Sequence, residues 1–126
     1  MVKFKLALLA GAAAAMLTVS VAQAQNADEG RKNFNKYCIA CHINTATGAK
    51  RLGPTLFGVV GRQAGSIADF KYTEANQKSG FTWTPDVLDK YLVDPKAAIP
   101  GTAMTFAGVK KQEERSDLIE YLKTLK

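Results

Sequence analysis

The sequence predicts an all-α domain with long irregular loops and almost no strand. Three observations carry this. Leu118, Ile119, Leu122 and Leu125 recur at the spacing of a helix with one buried stripe. Thr84-Pro85 opens a second helix, with Thr as the cap and Pro at the first helical position. Between Ile43 and Phe70 the chain places Gly48, Gly53, Pro54, Gly58, Gly61 and Gly65. That stretch reads as loop, not as strand or helix.

In chain order, Met1-Val2-Lys3-Phe4-Lys5 is a short basic head. Leu6 to Val21 is an apolar run of 16 residues, and Ala22-Gln23-Ala24 closes it with small residues two apart. This pattern predicts a secretory signal peptide, residues 1–24, cut after Ala24. A retained membrane anchor is the alternative, but the run falls short of the roughly 20 apolar residues a span requires. Residues 25–126 then form one domain. A domain of that size buries a modest core and commonly needs a metal or cofactor as a staple. Lys3 and Lys5 leave with the leader, so the net charge falls from +6 to +4. A modest positive charge suits acidic protein surfaces. No run of Lys and Arg argues for nucleic acid.

The first helix is expected from about Ala27 to Cys41. Asp28 and Glu29 suit its N-terminal dipole, and Gly30, Phe34 and Tyr37 fall at helical spacing. The loop from Ile43 to Phe70 is long enough to be uncommon unless functional. A short helix from Thr73 to Lys78 ends at Ser79-Gly80. The helix opened by Thr84-Pro85 carries Val87, Leu88, Tyr91 and Leu92 on one face, with Pro95 as a stop beyond it. The last helix spans about Gln112 to Leu125.

Past the leader, the Cys, His and Met residues reduce to four: Cys38, Cys41, His42 and Met104. Three stand in Cys38-Ile39-Ala40-Cys41-His42, the C-x-x-C-H string of c-type haem attachment. Cysteines three apart on a helix share a face. Their thiols can add to two vinyl groups on one porphyrin edge, and the next residue can turn its imidazole under the iron. A thioredoxin-like pair is the main rival, but it belongs at a strand-to-helix turn, and no strand pattern precedes Cys38. A zinc site wants four ligands, and only three lie nearby. A plain disulfide leaves His42 and Met104 unexplained. Met104 would by default be a core residue. It follows the turn Pro100-Gly101, which can aim a side chain, and it is the remaining thioether. It is therefore the expected sixth ligand, in the His/Met pattern.

From Gly30 to Lys126 the chain resembles class I cytochrome c, in the branch of mitochondrial cytochrome c and bacterial cytochrome c2. The matching blocks are Cys38 to His42, Gly53-Pro54-Thr55-Leu56-Phe57-Gly58, Gly61-Arg62 with Ala64-Gly65, and Ser79-Gly80-Phe81-Thr82-Trp83. Tyr91-Leu92 with Pro95-Lys96, Ile99-Pro100-Gly101-Thr102, and Phe106-Ala107-Gly108 with Lys110-Lys111 continue the series. Glu114-Arg115, Asp117-Leu118-Ile119 and Tyr121-Leu122-Lys123 close it. The resemblance implies the class I fold, helices and long loops wrapped around one covalent haem c and its iron.

It also implies roles. Pro54 would offer its carbonyl to the His42 ring, as an axial His wants its other N–H held. Arg62, Tyr72 and Trp83 would hold a buried haem propionate, since a carboxylate out of water needs donors. Thr73 and Thr102 would add hydroxyl donors, with a helix cap and a turn hydroxyl as the alternatives. Tyr91 would sit near Met104, and Asn76 would join a polar patch beside that ligand. Gly30 and Phe34 would cross Leu118 and Tyr121. Lys32, Arg51, Lys96, Lys110 and Lys111 would lie near the haem-edge docking face. Tyr37, Ala97 and Ala103 depart from the lysines of many relatives, which implies weaker docking.

The implied function is a monomeric one-electron carrier in the periplasm, not an enzyme. Its partners would be a cytochrome bc1 complex as donor and a terminal oxidase, photosynthetic reaction centre or periplasmic reductase as acceptor. A peroxidase-like haem enzyme is the alternative, and it would require Met104 to be off the iron at rest.

Overall fold

The computed structural model describes residues 25–126, and the expected leader, residues 1–24, lies outside them. Among the described residues the order is α1 (Ala27–Tyr37), α2 (Glu74–Lys78), α3 (Pro85–Val93), α4 (Pro95–Ala98) and α5 (Gln112–Thr124). Extended pairing among them is limited to one bridge, Gln63 with Thr82. None of these helices is long and apolar enough to cross a membrane.

Asn26 starts α1 by accepting from Asp28 N and Glu29 N, two of the donors a helix start leaves free. The helix ends at Tyr37, not at Cys41 as expected from sequence. The Phe34 carbonyl accepts from both Cys38 N, at 2.8 Å, and Ile39 N, at 3.1 Å. The second bond reaches back five residues and breaks the α register. The Cys38 carbonyl then accepts from Cys41 N at 3.0 Å and His42 N at 2.9 Å. The C-x-x-C-H string is thus a tight turn hung on the helix end.

The crossing of α1 and α5 is the packing centre. Phe34 and Leu118 are 0% exposed, and the Phe34 and Tyr121 rings lie 5.4 Å apart. Gly30 makes this approach possible: a Cβ there would stand 1.9 Å from the Asp117 carbonyl oxygen. Polar ties fix the crossing at its rim. Asn26 N donates to Asp117 Oδ1 at 2.7 Å, and Asn33 Nδ2 donates to the Glu114 carbonyl at 3.3 Å.

Helix α3 begins as expected, with Thr84 Oγ1 capping Val87 N and Pro85 at the start. Pro95 does not merely stop the chain. It opens α4, because a proline at the first helical position has no N–H to leave unbonded. Asp94 caps that turn through Ala97 N at 3.1 Å. Buried Arg115 joins α5 to the rest. Its Nε donates to Asp89 Oδ1 at 2.8 Å, and its Nη1 to the Val109 and Lys110 carbonyls at 3.0 Å each.

Candidate cofactor site

Cys38 is buried, Cys41 half-buried, and both are free thiols. Burial first, and then the charge of Cys41, pushes the Cys38 thiol up to about 12. It is therefore an S–H near neutrality. His42 is buried against the loop that follows it. Its Nδ1 lies 2.7 Å from the Pro54 carbonyl oxygen, which can only accept, so Nδ1 carries the proton and donates. That leaves Nε2 with its lone pair. Burial, the dominant cause, keeps the imidazole neutral by lowering its pKa. The Pro54 bond opposes this and Arg62 adds to it.

Gly53 completes this half of the site, and sequence reasoning gave it no role. A Cβ there would fall 2.3 Å from His42 Cε1 and 2.6 Å from Nδ1, so the bare backbone is what lets the loop lie against the ring. Its signal was only the dipeptide Gly53-Pro54.

On the other side, the Tyr91 hydroxyl donates to the Met104 sulfur at 3.1 Å. Burial pushes Tyr91 up to about 12, so it keeps its proton and stays a donor. Thr102 Oγ1 accepts from Met104 N at 3.3 Å, which sets the loop that presents the thioether. Trp83 is buried against Tyr91, with ring centroids 4.7 Å apart, and against Phe81 at 5.7 Å.

The expected propionate residues divide. Arg62 donates Nη1 to the Phe57 carbonyl at 3.0 Å and Nη2 to the Thr55 carbonyl at 2.9 Å. It pins the loop with two N–H groups and keeps three for a carboxylate. Trp83 N donates to the Arg62 carbonyl at 2.9 Å, so these two expected donors are neighbours. The Tyr72 hydroxyl accepts from Ile67 N at 3.3 Å and keeps its proton to give. Thr73 does not have a proton to spare. Its Oγ1 accepts from Asn76 N and donates to Asn76 Oδ1 at 2.8 Å, so it serves as the cap of α2. Asn76 is committed to the same cap.

The expected docking cations are exposed, but several are already engaged. Lys32 pairs with Glu29 at 2.6 Å. Arg51 Nη1 donates to the Ile39 carbonyl at 2.7 Å, and Lys110 Nζ to the Val93 carbonyl at 2.6 Å. Tyr37 donates to Glu114 Oε2 at 2.5 Å, a tie no sequence signal announced.

The donor set fits a haem: two free thiols on one turn, a neutral buried imidazole with a fixed tautomer, and a thioether held by a buried hydroxyl. Partly buried Ile39, Leu56, Val60, Ala75, Phe81, Met104 and Phe106 surround the core as apolar walls.

Comparison with known proteins agrees. The family model for cytochrome c matches residues 27–126. Cytochrome c2 of Blastochloris viridis is 50% identical over 107 residues, 84% of this chain and 83% of the relative. Cytochrome c2 of Rhodopila globiformis is 47% identical over 98 residues, 78% and 92% of the two chains. Cytochrome c of Chlamydomonas reinhardtii is 44% identical over 108 residues, 86% and 96%. The chain belongs to the cytochrome c family, all-α electron carriers that hold an iron-bearing haem c covalently.

Proposed function

We propose that this protein is a periplasmic shuttle that moves single electrons between membrane redox complexes. When bound, the haem supplies a one-electron ferrous–ferric couple. The protein's part is to hold it, keep water from it and present one edge. Cys38 and Cys41 would hold the haem covalently through their sulfurs. His42 would offer Nε2 to the iron, while the Pro54 carbonyl holds its other nitrogen and so its ring plane. Met104 would offer its sulfur as the second protein ligand. Tyr91, by donating to that sulfur, fixes its direction and withdraws electron density from it. Arg62, Tyr72 and Trp83 would hold a propionate, while the Thr102 hydroxyl, expected to serve one as well, lies within hydrogen-bonding reach of Tyr91.

The observation that carries this reading is the Tyr91–Met104 contact of 3.1 Å. That contact holds the thioether in one direction, as an iron ligand would need. With His42 and Met104 both serving as ligands, the metal would have no position open to substrate, which supports a carrier over a peroxidase-like enzyme. The near-infrared absorption of iron–sulfur ligation in the oxidised protein tests it. The band is expected in the native protein and lost in Met104→Ala. Its absence from the native protein would overturn the Met104 assignment.

Docking through Lys32, Arg51, Lys96, Lys110 and Lys111 to a cytochrome bc1 complex, and to a terminal oxidase or photosynthetic reaction centre, is what the family resemblance implies, and the basic balance of the chain supports it. The protein acts as a monomer. Residues 1–24 direct export and are removed after Ala24. The bacterial cytochrome c2 relatives support a periplasmic location, and Edman sequencing of periplasmic protein should begin at Gln25.

A further inference from the structure

We propose that Asn44 and Tyr121 form a brace that keeps the His42 imidazole in its plane, acting through the loop that carries Pro54. They are positioning residues for the axial ligand, and the proposal rests on the reading above that His42 binds the iron. Asn44 stands two residues past His42, and its Nδ2 donates to the Tyr121 hydroxyl at 2.8 Å. The bond joins residues 77 apart, a loop to the closing turns of α5. Its two ends differ in how firmly they are held. Tyr121 is 8% exposed, and its ring lies 5.4 Å from that of Phe34. Its Cβ backs onto Gly30 so closely that a methyl group there would stand 2.8 Å away. Tyr121 therefore cannot shift without moving the helix crossing. Asn44 instead leads into residues 45–52, all exposed, so packing does little to fix that stretch.

The Pro54 carbonyl holds the His42 ring at 2.7 Å, and a ring is held no more firmly than the carbonyl it donates to. That carbonyl belongs to loop backbone, so its place is set by the bonds on either side. Before it, Gly53 N donates to the Cys41 carbonyl at 2.8 Å. After it, Leu56 N donates to the Ile43 carbonyl at 2.9 Å, and Thr55 Oγ1 to the Thr45 carbonyl at 2.8 Å. Residues 43–45 thus carry residues 55–56, and Asn44 is the middle of the carrying segment. Through the Tyr121 hydroxyl that segment is fixed to the crossing. The helix takes hold again further on, where the Leu125 carbonyl accepts from Gly58 N at 2.6 Å. The rigid half of the molecule lends its order to the half that carries the ligand. A ring left to tilt would weaken its bond to Pro54, and with it the basicity which that bond confers on Nε2.

Holo-protein is followed by NMR in the ferrous state and by redox titration. Native protein is compared with Tyr121→Phe, Asn44→Ala and the double variant. Tyr121→Phe keeps the ring that packs on Phe34. Asn33→Ala is the control, since it removes a bond to the Glu114 carbonyl at the rim of the crossing and no loop contact. Each brace variant should speed exchange of the His42 Nδ1 proton about fivefold, the effect of one lost hydrogen bond, and speed the Leu118 amide less. The reduction potential should rise in both, because a less basic Nε2 favours ferrous iron. The double variant should match the singles, as all three break the same bond. Asn33→Ala should leave the His42 proton and the potential as in the native protein. If His42 and Leu118 accelerate by the same factor, or the potential of Tyr121→Phe does not move, the contact is a structural tie and the brace is wrong. If the double variant accelerates by the product of the singles, the two residues act separately and the brace is again wrong. A porphyrin over His42 shifts its ring protons upfield. Absence of that shift in the native protein would remove His42 from the iron, and the brace with it. Its presence beside a failed brace leaves the reading of the site standing.

Discussion

The α1–α5 crossing and the loop that follows His42 each press a glycine against a close neighbour. The neighbours differ in kind. At Gly30 a Cβ would meet the Asp117 carbonyl oxygen at 1.9 Å and Tyr121 Cβ at 2.8 Å. Around it, Phe34 and Leu118 are fully buried by the two helices themselves. At Gly53 a Cβ would meet the His42 ring at 2.3 Å. Several apolar residues on that side, Ile39, Leu56 and Val60 among them, are only partly buried. Loop carbonyls there find donors one at a time: Arg62 serves Thr55 and Phe57, and Thr55 Oγ1 serves Thr45 at 2.8 Å. The helix crossing closes on its own side chains. The loop region is built to be finished by the haem.

The same substitution in the two places should therefore fail differently. Gly30→Ala drives a methyl group into helix backbone, and the helices must separate. Overpacking commonly costs 1–3 kcal/mol, and contact with backbone sits at the upper end, about 3 kcal/mol. For a domain of this size that lowers the melting temperature by roughly 12–20 °C. Below the transition the visible spectrum should be native, because the crossing contains none of the proposed ligands. Gly53→Ala meets an imidazole, which can turn at the expense of its bond to Pro54. Its loss of stability should be smaller, about 1–2 kcal/mol. Its spectrum and reduction potential should change. Thermal melts and redox titration of both variants decide the matter. A spectral change in Gly30→Ala, or a purely thermal effect in Gly53→Ala, would break the distinction between the regions.

The contrast also explains what the sequence could announce. The stripe Leu118, Ile119, Leu122 of α5 and the cap-and-proline start at Thr84-Pro85 are local patterns, and both helices begin where expected. The end of α1 was not legible, because it depends on Phe34 sharing its carbonyl between Cys38 and Ile39. Pro95 stops α3 as expected, but its second role as the start of α4 was not legible, since that depends on the placement of Asp94 as a cap. In the site, Cys38, Cys41, His42 and Met104 stood out by residue type alone. The contacts Pro54 to His42 and Tyr91 to Met104 came from the family resemblance. No rule of spacing joins residues 12 or 13 apart through loops. Thr73, which the resemblance made a propionate donor with a helix cap as the alternative, caps α2 in this geometry. Gly53 reads in the sequence only as a loop glycine, because its meaning lies in the His42 ring that the fold sets beside it.

The smallest expected effect lies where the two regions meet. Tyr37 ends α1 one residue before Cys38, and its hydroxyl donates to Glu114 at the start of α5. That bond, ahead of Lys36 and Lys111, holds the Glu114 carboxyl below its ordinary value of 4.5, while partial desolvation acts against it. A carboxyl depressed in the folded state adds stability above its unfolded pKa. It loses that stability as pH falls through the lower folded value. In Tyr37→Phe the Glu114 carboxyl should titrate closer to 4.5, with Lys36 at 3.3 Å keeping part of the depression. The variant should lose less stability than the native protein as pH drops below 4.5, so their melting curves converge in acid. Carboxyl NMR titration of both proteins measures this directly. An unchanged Glu114 titration would mean that the lysines alone hold the charge. The tie between helix end and cofactor turn would then be one of packing, through the Tyr37–Phe106 ring contact at 6.1 Å.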